Sequence, residues 1–173
     1  AGRIPVGANR LLFLPYLMGE RSPLLDENSR GVFFGLSAIH TKYDLLRAVM
    51  EGVTYSQRQC LDVLRGMGVV STEMLACGGG GSSPLWRQML ADVYGCPVKT
   101  VVSKEGPALG AAILAGVGAG LYPSVQDACH AMIRTNPAQQ PDPEASARYE
   151  PFYQLYRSLY PALRESFHTL AAL

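Results

Sequence analysis

The spacing of hydrophobic positions changes several times along the chain, and each change predicts a different element. Two short apolar runs, at residues 11–17 and 31–37, have the length and composition of buried strands. Residues 73–77 and 98–102 form two further short apolar runs that predict strands. Segments with helical spacing lie between and after these runs. Because strands alternate with helices, the sequence predicts an α/β domain.

The longest predicted helix begins after Thr41, an N-cap that forms a short capping box with Asp44. Its apolar positions keep helical spacing until Gly66 and Gly68 end the helix. Gly52 lies inside this helix, where glycine costs about 1 kcal/mol relative to alanine. We therefore expect another part of the chain to approach closely at Gly52, unless the glycine is simply tolerated there.

Four more helices are predicted in the second half of the chain. The first has Ser83 as N-cap and Pro84 at its first position, and it ends at Gly95. The second is the alanine- and glycine-rich stretch 107–122, which is too short and too weakly apolar to span a bilayer and is expected to be a buried helix. The rest of the prediction comprises a short helix at 124–133, a linker at 136–143, and a last helix with Phe152, Leu155, Tyr156, Leu159 and Leu163 on one face, interrupted at Pro161.

Composition narrows the class of protein. The chain has 173 residues, of which 48% are hydrophobic and 17% charged, so it has enough apolar surface for one compact core. Fifteen basic and 14 acidic residues give a net charge of +1, which argues against a nucleic-acid partner. No membrane partner is expected either. The four cysteines form no C-x-x-C motif, which favours a reduced, cytoplasmic location over a disulfide or zinc scaffold.

The most distinctive feature is a run of four glycines and two serines at residues 78–83, between a predicted strand and a predicted helix. Glycines have no Cβ, so a phosphate group can approach the main chain closely, and helix N-termini attract anions. The run predicts a phosphate- or nucleotide-binding loop, with a flexible turn as the alternative. Neither the P-loop motif nor the dinucleotide motif is present, because Ser83 occupies the last position of G-x-G-x-x-G.

Other candidate positions carry weaker signals. Gly106 opens a second loop-to-helix junction one strand later and is expected to border the same ligand, whereas the alanines after it favour plain helix packing. The charges of residues 19–31 predict either a buried paired network or the wall of an active site. Glu51 is expected to be a satisfied polar residue of the long helix. The sequence displays no catalytic base and no set of metal ligands.

Several motifs, taken in order, resemble the C-terminal half of the FGGY family of carbohydrate kinases. The second signature of that family is matched by GVFFGL at 31–36 followed, after a spacer, by DLLRAVME at 44–51. The stretches GGGGSSPLWRQMLADVYGCPV at 78–98 and EGPALGAAILA at 105–115 are similar to the family's two later nucleotide motifs. The resemblance covers residues 11–122.

This resemblance implies a ribonuclease H-like (actin-like ATPase) fold in which ATP lies in a cleft between two lobes. Residues 1–173 would then be the C-terminal, ATP-binding lobe without its opening strands, and the N-terminal sugar-binding lobe would be absent. MgATP is the implied cofactor. The implied nucleotide-binding residues are Gly78, Gly79, Gly80, Gly81, Ser83 and Gly106, with Gly79 and Gly80 at the phosphates and ribose and Ser83 at the adenine side.

Within the family, the loop Gly19–Glu20–Arg21–Ser22–Pro23 is most similar to that of xylulokinases, although gluconate kinases carry a similar loop. The resemblance therefore implies transfer of the ATP γ-phosphoryl group to D-xylulose, with gluconate or another sugar as the alternative. The catalytic aspartate and most of the sugar pocket would lie upstream, so we expect this segment alone to be inactive. The implied partners are a ketose, bound through the missing lobe, and a second copy in a homodimer. A nucleotide-binding module without catalysis, or an interaction domain of the same fold, remains a further alternative.

Overall fold

Short strands and long helices alternate along the chain, as the hydrophobic pattern predicts. The structure is a computed structural model, and it describes residues 1–102 and 106–173. The strands are β1 (Leu12–Leu14), β2 (Val32–Phe34), β3 (Met74–Ala76) and β4 (Val98–Thr100). The helices are α1 (Lys42–Gly66), α2 (Gly78–Ser82), α3 (Pro84–Tyr94), α4 (Gly106–Gly118), α5 (Val125–Met132) and α6 (Pro143–Ala172).

The strands form two separate pairs. β1 and β2 are antiparallel with Phe13 opposite Phe33, whereas β3 and β4 are parallel with Leu75 opposite Lys99. The segment after α5, predicted to be a linker, lies along β4 instead and forms a bridge between Val98 and Gln139. The backbone of this segment thus finds hydrogen-bond partners at the edge of the sheet, which a sequence pattern rich in proline and glutamine does not reveal.

Helix α1 follows its sequence signals closely. Thr41 is the N-cap and forms the predicted capping box with Asp44. A Cβ built on Gly52 would lie 2.1 Å from the carbonyl oxygen of Phe13, far inside contact distance. The close approach expected at Gly52 is therefore confirmed, and the neighbour is the backbone of β1.

Helix α6 supplies much of the core through a row of tyrosines. Tyr149, Tyr153 and Tyr156 are all buried and surround Tyr55 of α1, with ring centroids 6.3, 5.9 and 5.4 Å from it. Mixed edge-on and tilted aromatic contacts of this kind stabilise a core beyond their buried area. This row of tyrosines is thus part of the core.

The predicted interruption of α6 at Pro161 is wrong, because the helix runs without a break from Pro143 to Ala172. Pro161 is exposed, so the hydrogen bond that its missing N–H would have made is lost on the solvent side, where water can satisfy the carbonyl of Arg157. Tyr160 and Phe167 are buried on either side of the proline and hold the helix against the core. Leu155, predicted on the buried face, is instead 46% exposed.

Helix α4 corrects a second expectation. It was predicted to be buried, yet Ile113 and Gly116 are its only buried residues, and Leu114 is 63% exposed. Its main partner is α5, and its small side chains offer little surface to a second neighbour. Among the residues that the structure describes, no helix combines the length and the hydropathy needed to cross a membrane.

Candidate functional site

The glycine run forms a single turn of helix directly after β3. The sequence predicts a loop here, since glycine is a poor helix former, but residues 78–82 are helical and make up α2. Cys77 is the N-cap in an extended conformation, and its side chain makes no capping hydrogen bond. Gly78 has a φ of +71°, a value that residues with a Cβ rarely adopt. A residue with a Cβ would therefore be strained at position 78, where the chain enters the turn.

The outer side of this turn presents bare backbone to open space. Among the described residues outside the turn itself, none has an atom within 4 Å of where a Cβ on Gly78 or Gly79 would be. The inner side is tight, because a Cβ on Gly81 would come within 2.9 Å of the carbonyl oxygen of Ala76. The turn is thus anchored on β3 at one end and accessible to a ligand at the other.

A cavity of about 780 Å³ separates the glycine turn from the start of α4. The turn contributes Gly78, Gly81 and Ser82, and α4 contributes Gly106 and Gly110. Outside helix α4 itself, Cβ atoms on Gly106 and Gly110 would meet nothing within 4 Å in the part of the chain that the structure describes. The two motifs singled out in the sequence therefore face one another across a single opening. Lys104 and Glu105, which begin the second motif, lie outside the described residues.

The other predicted site residues are arranged differently. Gly80 lies beneath the indole ring of Trp86 and lines a second, more apolar cavity of about 410 Å³ on the opposite side of the turn. Gly79 lines neither cavity. The hydroxyl of Ser83 accepts a hydrogen bond from the backbone N–H of Trp86 at 3.4 Å, so it serves as the cap of α3.

The polar groups of the larger cavity suit an anion with hydrogen-bonding edges. Arg87 is the single charged side chain among the described residues that line it, and its Nη1 donates to the carbonyl of Gly81 at 2.7 Å. On the opposite wall, Asn136 Nδ2 donates to Thr100 Oγ1 at 2.9 Å. A cationic side chain beside exposed backbone favours a negatively charged ligand.

Sequence reasoning missed Arg87, Thr100 and Asn136. Arg87 follows the N-cap Ser83 by four residues, so helical spacing alone returns its side chain toward the glycine run, and this signal was available. Thr100 ends a strand of a parallel pair, the edge at which ligands of α/β folds bind. Asn136 reaches the cavity only because its segment lies along β4, which no local pattern indicates.

Two groups of charged residues lie away from this cavity. Glu51 is buried in α1, where its Oε1 accepts hydrogen bonds from Arg47 Nε at 2.7 Å and from the backbone N–H of Gly7 at 3.1 Å. Its Oε2 has no hydrogen-bond partner among the residues that the structure describes. Burial raises the pKa of Glu51 to about 7, against the opposing charge of Arg47. Glu51 is thus a buried structural residue, as expected, but within the described residues only one of its two carboxylate oxygens has hydrogen-bond partners.

The charged segment at residues 19–31, all of it described, only partly matches the first of its two predicted arrangements, a buried network, because Asp26 is buried whereas Arg21, Glu27 and Arg30 are exposed. Asp26 is buried and accepts a hydrogen bond from the hydroxyl of Tyr160 at 2.8 Å, while His168 Nε2 lies 3.1 Å from the same oxygen. Burial acts to raise the pKa of Asp26, but these hydrogen bonds outweigh it and leave that pKa below its ordinary value. The network fastens the segment to the C-terminal part of α6.

Comparison with known proteins places this geometry in a family. The family model of the FGGY family of carbohydrate kinases, C-terminal domain, matches residues 3–119. The xylulose kinase of Staphylococcus epidermidis is 39% identical over 160 residues, which make up 92% of this chain and 32% of that protein. The chain therefore spans about a third of the length of the curated relatives that it matches.

Solved structures agree with the sequence comparison. A ligand-bound xylulose kinase from Lactobacillus acidophilus superposes with a TM-score of 0.88 at 31% identity, over 96% of this chain and 34% of that chain. A gluconate kinase from the same organism gives a TM-score of 0.87 at 31% identity, over the same shares of the two chains. The ribonuclease H-like, actin-like ATPase fold expected from the sequence is thereby confirmed. The chain belongs to the FGGY family of carbohydrate kinases and carries its C-terminal domain.

Proposed function

We propose that this chain is the nucleotide-binding lobe of an ATP-dependent sugar kinase. In the complete protein, the γ-phosphoryl group of ATP would be transferred to D-xylulose to give D-xylulose 5-phosphate. The observation that carries this proposal is the cavity between the glycine turn and the start of α4, because two motifs far apart in sequence meet there around open backbone. Its volume of about 780 Å³ is within the range of small-molecule sites, about 300–1,000 Å³.

The described residues fit a nucleotide. The accessible backbone of Gly78 and Gly79 leaves room for phosphate and ribose groups that a Cβ would obstruct. We propose that Gly80 and Gly81 keep the turn in shape from behind, and that Gly106 borders the base from α4. Because the Ser83 hydroxyl already caps α3, any contact of Ser83 with the adenine would come from its backbone.

Mg²⁺ has no dedicated site among residues 1–102 and 106–173, in which no group of three histidine, cysteine, aspartate or glutamate side chains is placed to hold a metal. We propose that the ion arrives with ATP, since Mg²⁺ is commonly bound through substrate phosphates and few carboxylates. When bound, it would neutralise developing charge on the phosphates. No residue of this chain is assigned to it.

Phosphoryl transfer requires mainly positioning and charge stabilisation. This lobe would bind and orient the nucleotide, while the catalytic aspartate and the ketose site would lie in the remaining two thirds of the protein. An open edge of β3 supports a larger lobe, since within the described residues β3 pairs with β4 alone and Leu75 is 53% exposed. We propose that the opening strands of the lobe cover this edge.

A substrate panel tests the assignment. Release of ADP by the full-length protein would be measured with D-xylulose, gluconate, ribulose and glycerol, and we expect the highest kcat/KM with D-xylulose. Gluconate is the second candidate, because a gluconokinase of Bacillus licheniformis is 35% identical over 99% of this chain. A higher kcat/KM with gluconate would overturn the xylulose assignment and retain the kinase.

A nucleotide-binding module without catalysis would give a different result in the same assay. It would bind ADP, yet no sugar would raise the rate of ADP release. The homodimer and the cytoplasmic location expected from the sequence stay predictions, as does the inactivity of this lobe on its own.

A further inference from the structure

The glycine turn has a low intrinsic tendency to be helical. Each glycine in a helical turn costs about 1 kcal/mol relative to alanine, and this turn has four in a row. Two hydrogen bonds that close its C-terminal end are long: Ser82 Oγ donates to the carbonyl of Gly78 at 3.4 Å, and the N–H of Ser83 donates to the carbonyl of Gly80 at 3.3 Å. Contacts with neighbouring side chains are therefore expected to contribute to the order of the turn.

One neighbour is Trp86, in the first turn of α3. Its indole ring covers Gly80, since a Cβ on that glycine would lie 3.4 Å from the ring. The indole N–H donates to Thr54 Oγ1 at 3.0 Å, and the Thr54 hydroxyl in turn donates to the carbonyl of Met50 at 2.8 Å. Thr54 is fully buried, so α1 holds the ring in one orientation above the turn.

The second neighbour is Arg87, the next residue of α3. Its Nη1 donates to the carbonyl of Gly81 at 2.7 Å, a charge-assisted hydrogen bond to the most buried residue of the turn. Trp86 and Arg87 thus contact consecutive glycines, one through a ring face and the other through a hydrogen bond. Together they contact the turn from two sides, Trp86 from the smaller cavity and Arg87 from the larger one.

We propose that Trp86 and Arg87 are positioning residues that hold the glycine turn in its nucleotide-binding shape, with Thr54 fixing Trp86 from α1. This inference rests on the proposed function of the turn. Because Thr54 lines neither cavity and is buried, a loss of nucleotide affinity on changing Thr54 has to pass through Trp86 and the turn. Arg87 also lines the larger cavity, so Thr54 gives the cleaner test.

The test compares four variants of the full-length protein. Thr54→Val removes the acceptor for the indole N–H at nearly constant volume, Arg87→Ala removes the hydrogen bond to Gly81, and Arg87→Lys keeps a single cationic donor. Arg65→Ala is the matched control, because Arg65 Nη2 donates to the carbonyl of Tyr94 at 2.7 Å, a bond of the same kind at the far end of α3.

Two readouts are needed. Hydrogen–deuterium exchange of the peptide that contains residues 77–84 measures the order of the turn, and steady-state kinetics separates the KM for ATP from the KM for the sugar. We expect Thr54→Val and Arg87→Ala to speed exchange in this peptide and to raise the KM for ATP roughly five- to tenfold, with an unchanged KM for sugar. Arg87→Lys should recover part of the loss, and Arg65→Ala should leave both readouts unchanged.

Unchanged exchange of this peptide in both Thr54→Val and Arg87→Ala would overturn the positioning role. Equal effects of Arg65→Ala and Arg87→Ala would overturn it as well, because the loss would then reflect general destabilisation of α3. Failure of the proposed function looks different: the wild-type protein would bind no adenine nucleotide, while the exchange measurement would still report on the turn.

Discussion

At the α1–α6 interface nearly every contact is made by a side chain, whereas at the glycine turn the accessible groups are backbone. The interface buries Tyr149, Tyr153 and Tyr156 around Tyr55. The turn, by contrast, leaves open space around Gly78 and Gly79. A region filled by side chains contributes stability, and a region stripped of them can admit a ligand. Substitutions at the interface should therefore change stability, and substitutions on the open side of the turn should change ligand affinity.

The largest effect is expected at the buried ion pair beside the tyrosines. Replacing Arg47 by leucine leaves Glu51 buried without its cation, so that at pH 8 it either stays charged or takes up a proton, and the loss should be about 3–5 kcal/mol. Hydrogen exchange of the α1 amides in the full-length protein measures the loss. Lys99→Ala is the control, since the more exposed pair of Lys99 with Glu73 should contribute only about 0–1 kcal/mol. Equal losses in the two variants would contradict the account of this interface.

A smaller effect at the same interface depends on pH. Burial raises the pKa of Glu51 from 4.5 to about 7, so between these values the folded protein retains a proton that the unfolded chain releases. The free energy of unfolding that Glu51 contributes through this raised pKa is thus fully present below about pH 4.5 and is lost as the pH rises through about 7. Relative to Glu51→Gln, the wild-type protein should lose stability between pH 5 and 7 in urea unfolding. A difference that stays constant with pH would contradict this pKa.

The next effect is expected at Ser83, which follows the glycine turn and caps α3. Ser83→Ala removes the cap of α3 and should cost about 1 kcal/mol in the opening of that helix. Because the hydroxyl is engaged by the cap, the affinity for ADP should stay unchanged. Isothermal titration with ADP and hydrogen exchange of the α3 amides separate the two quantities. A fall in affinity that exceeds the loss of helix stability would indicate that the hydroxyl contacts the base.

The smallest effect is expected in the wild-type protein, in the rate at which a cysteine is labelled. Cys77 is exposed and lines the cavity beside the glycine turn, so bound ADP should slow its reaction with a thiol reagent. Cys129 of α5 lines neither cavity and serves as the internal control. Mass spectrometry of the labelled peptides gives both rates in one experiment. Equal rates for Cys77 with and without ADP would argue against a ligand at this cavity.

The sequence predicts best what depends on local chemistry. The caps at Thr41 and Ser83 and the left-handed Gly95 that ends α3 are all found as expected, because a cap involves residues only a few positions apart. The close approach at Gly52 was also predictable, although the identity of its neighbour, Phe13, was not. In the candidate site, the sequence predicts both glycine-containing motifs, because each has a distinctive order of residues.

What the sequence does not predict depends on distant neighbours. The exposure of α4 follows from its packing mainly against α5. The continuity of α6 through Pro161 depends on the burial of Tyr160 and Phe167 on either side of the proline. The helical form of the glycine turn contradicts the low helix propensity of glycine. We attribute this form to the contacts that Trp86 and Arg87 make with the turn. Such contacts form only once α3 has folded back on the turn.

The central claim, that the open backbone of the glycine turn binds a nucleotide, is tested most directly by titrating ADP into the full-length protein and its Gly79→Val variant. Gly79 lines neither cavity but lies between Gly78 and Gly81, which both line the larger one. Among the described residues outside its own turn, nothing lies within 4 Å of a Cβ on Gly79, so a valine there should fit the fold and obstruct a ligand bound against the turn. Gly79→Ala, which adds a single methyl group, serves as the intermediate control. We expect valine to weaken ADP binding by about tenfold or more with little change in thermal unfolding. Equal affinity in the wild-type and Gly79→Val proteins would contradict the account.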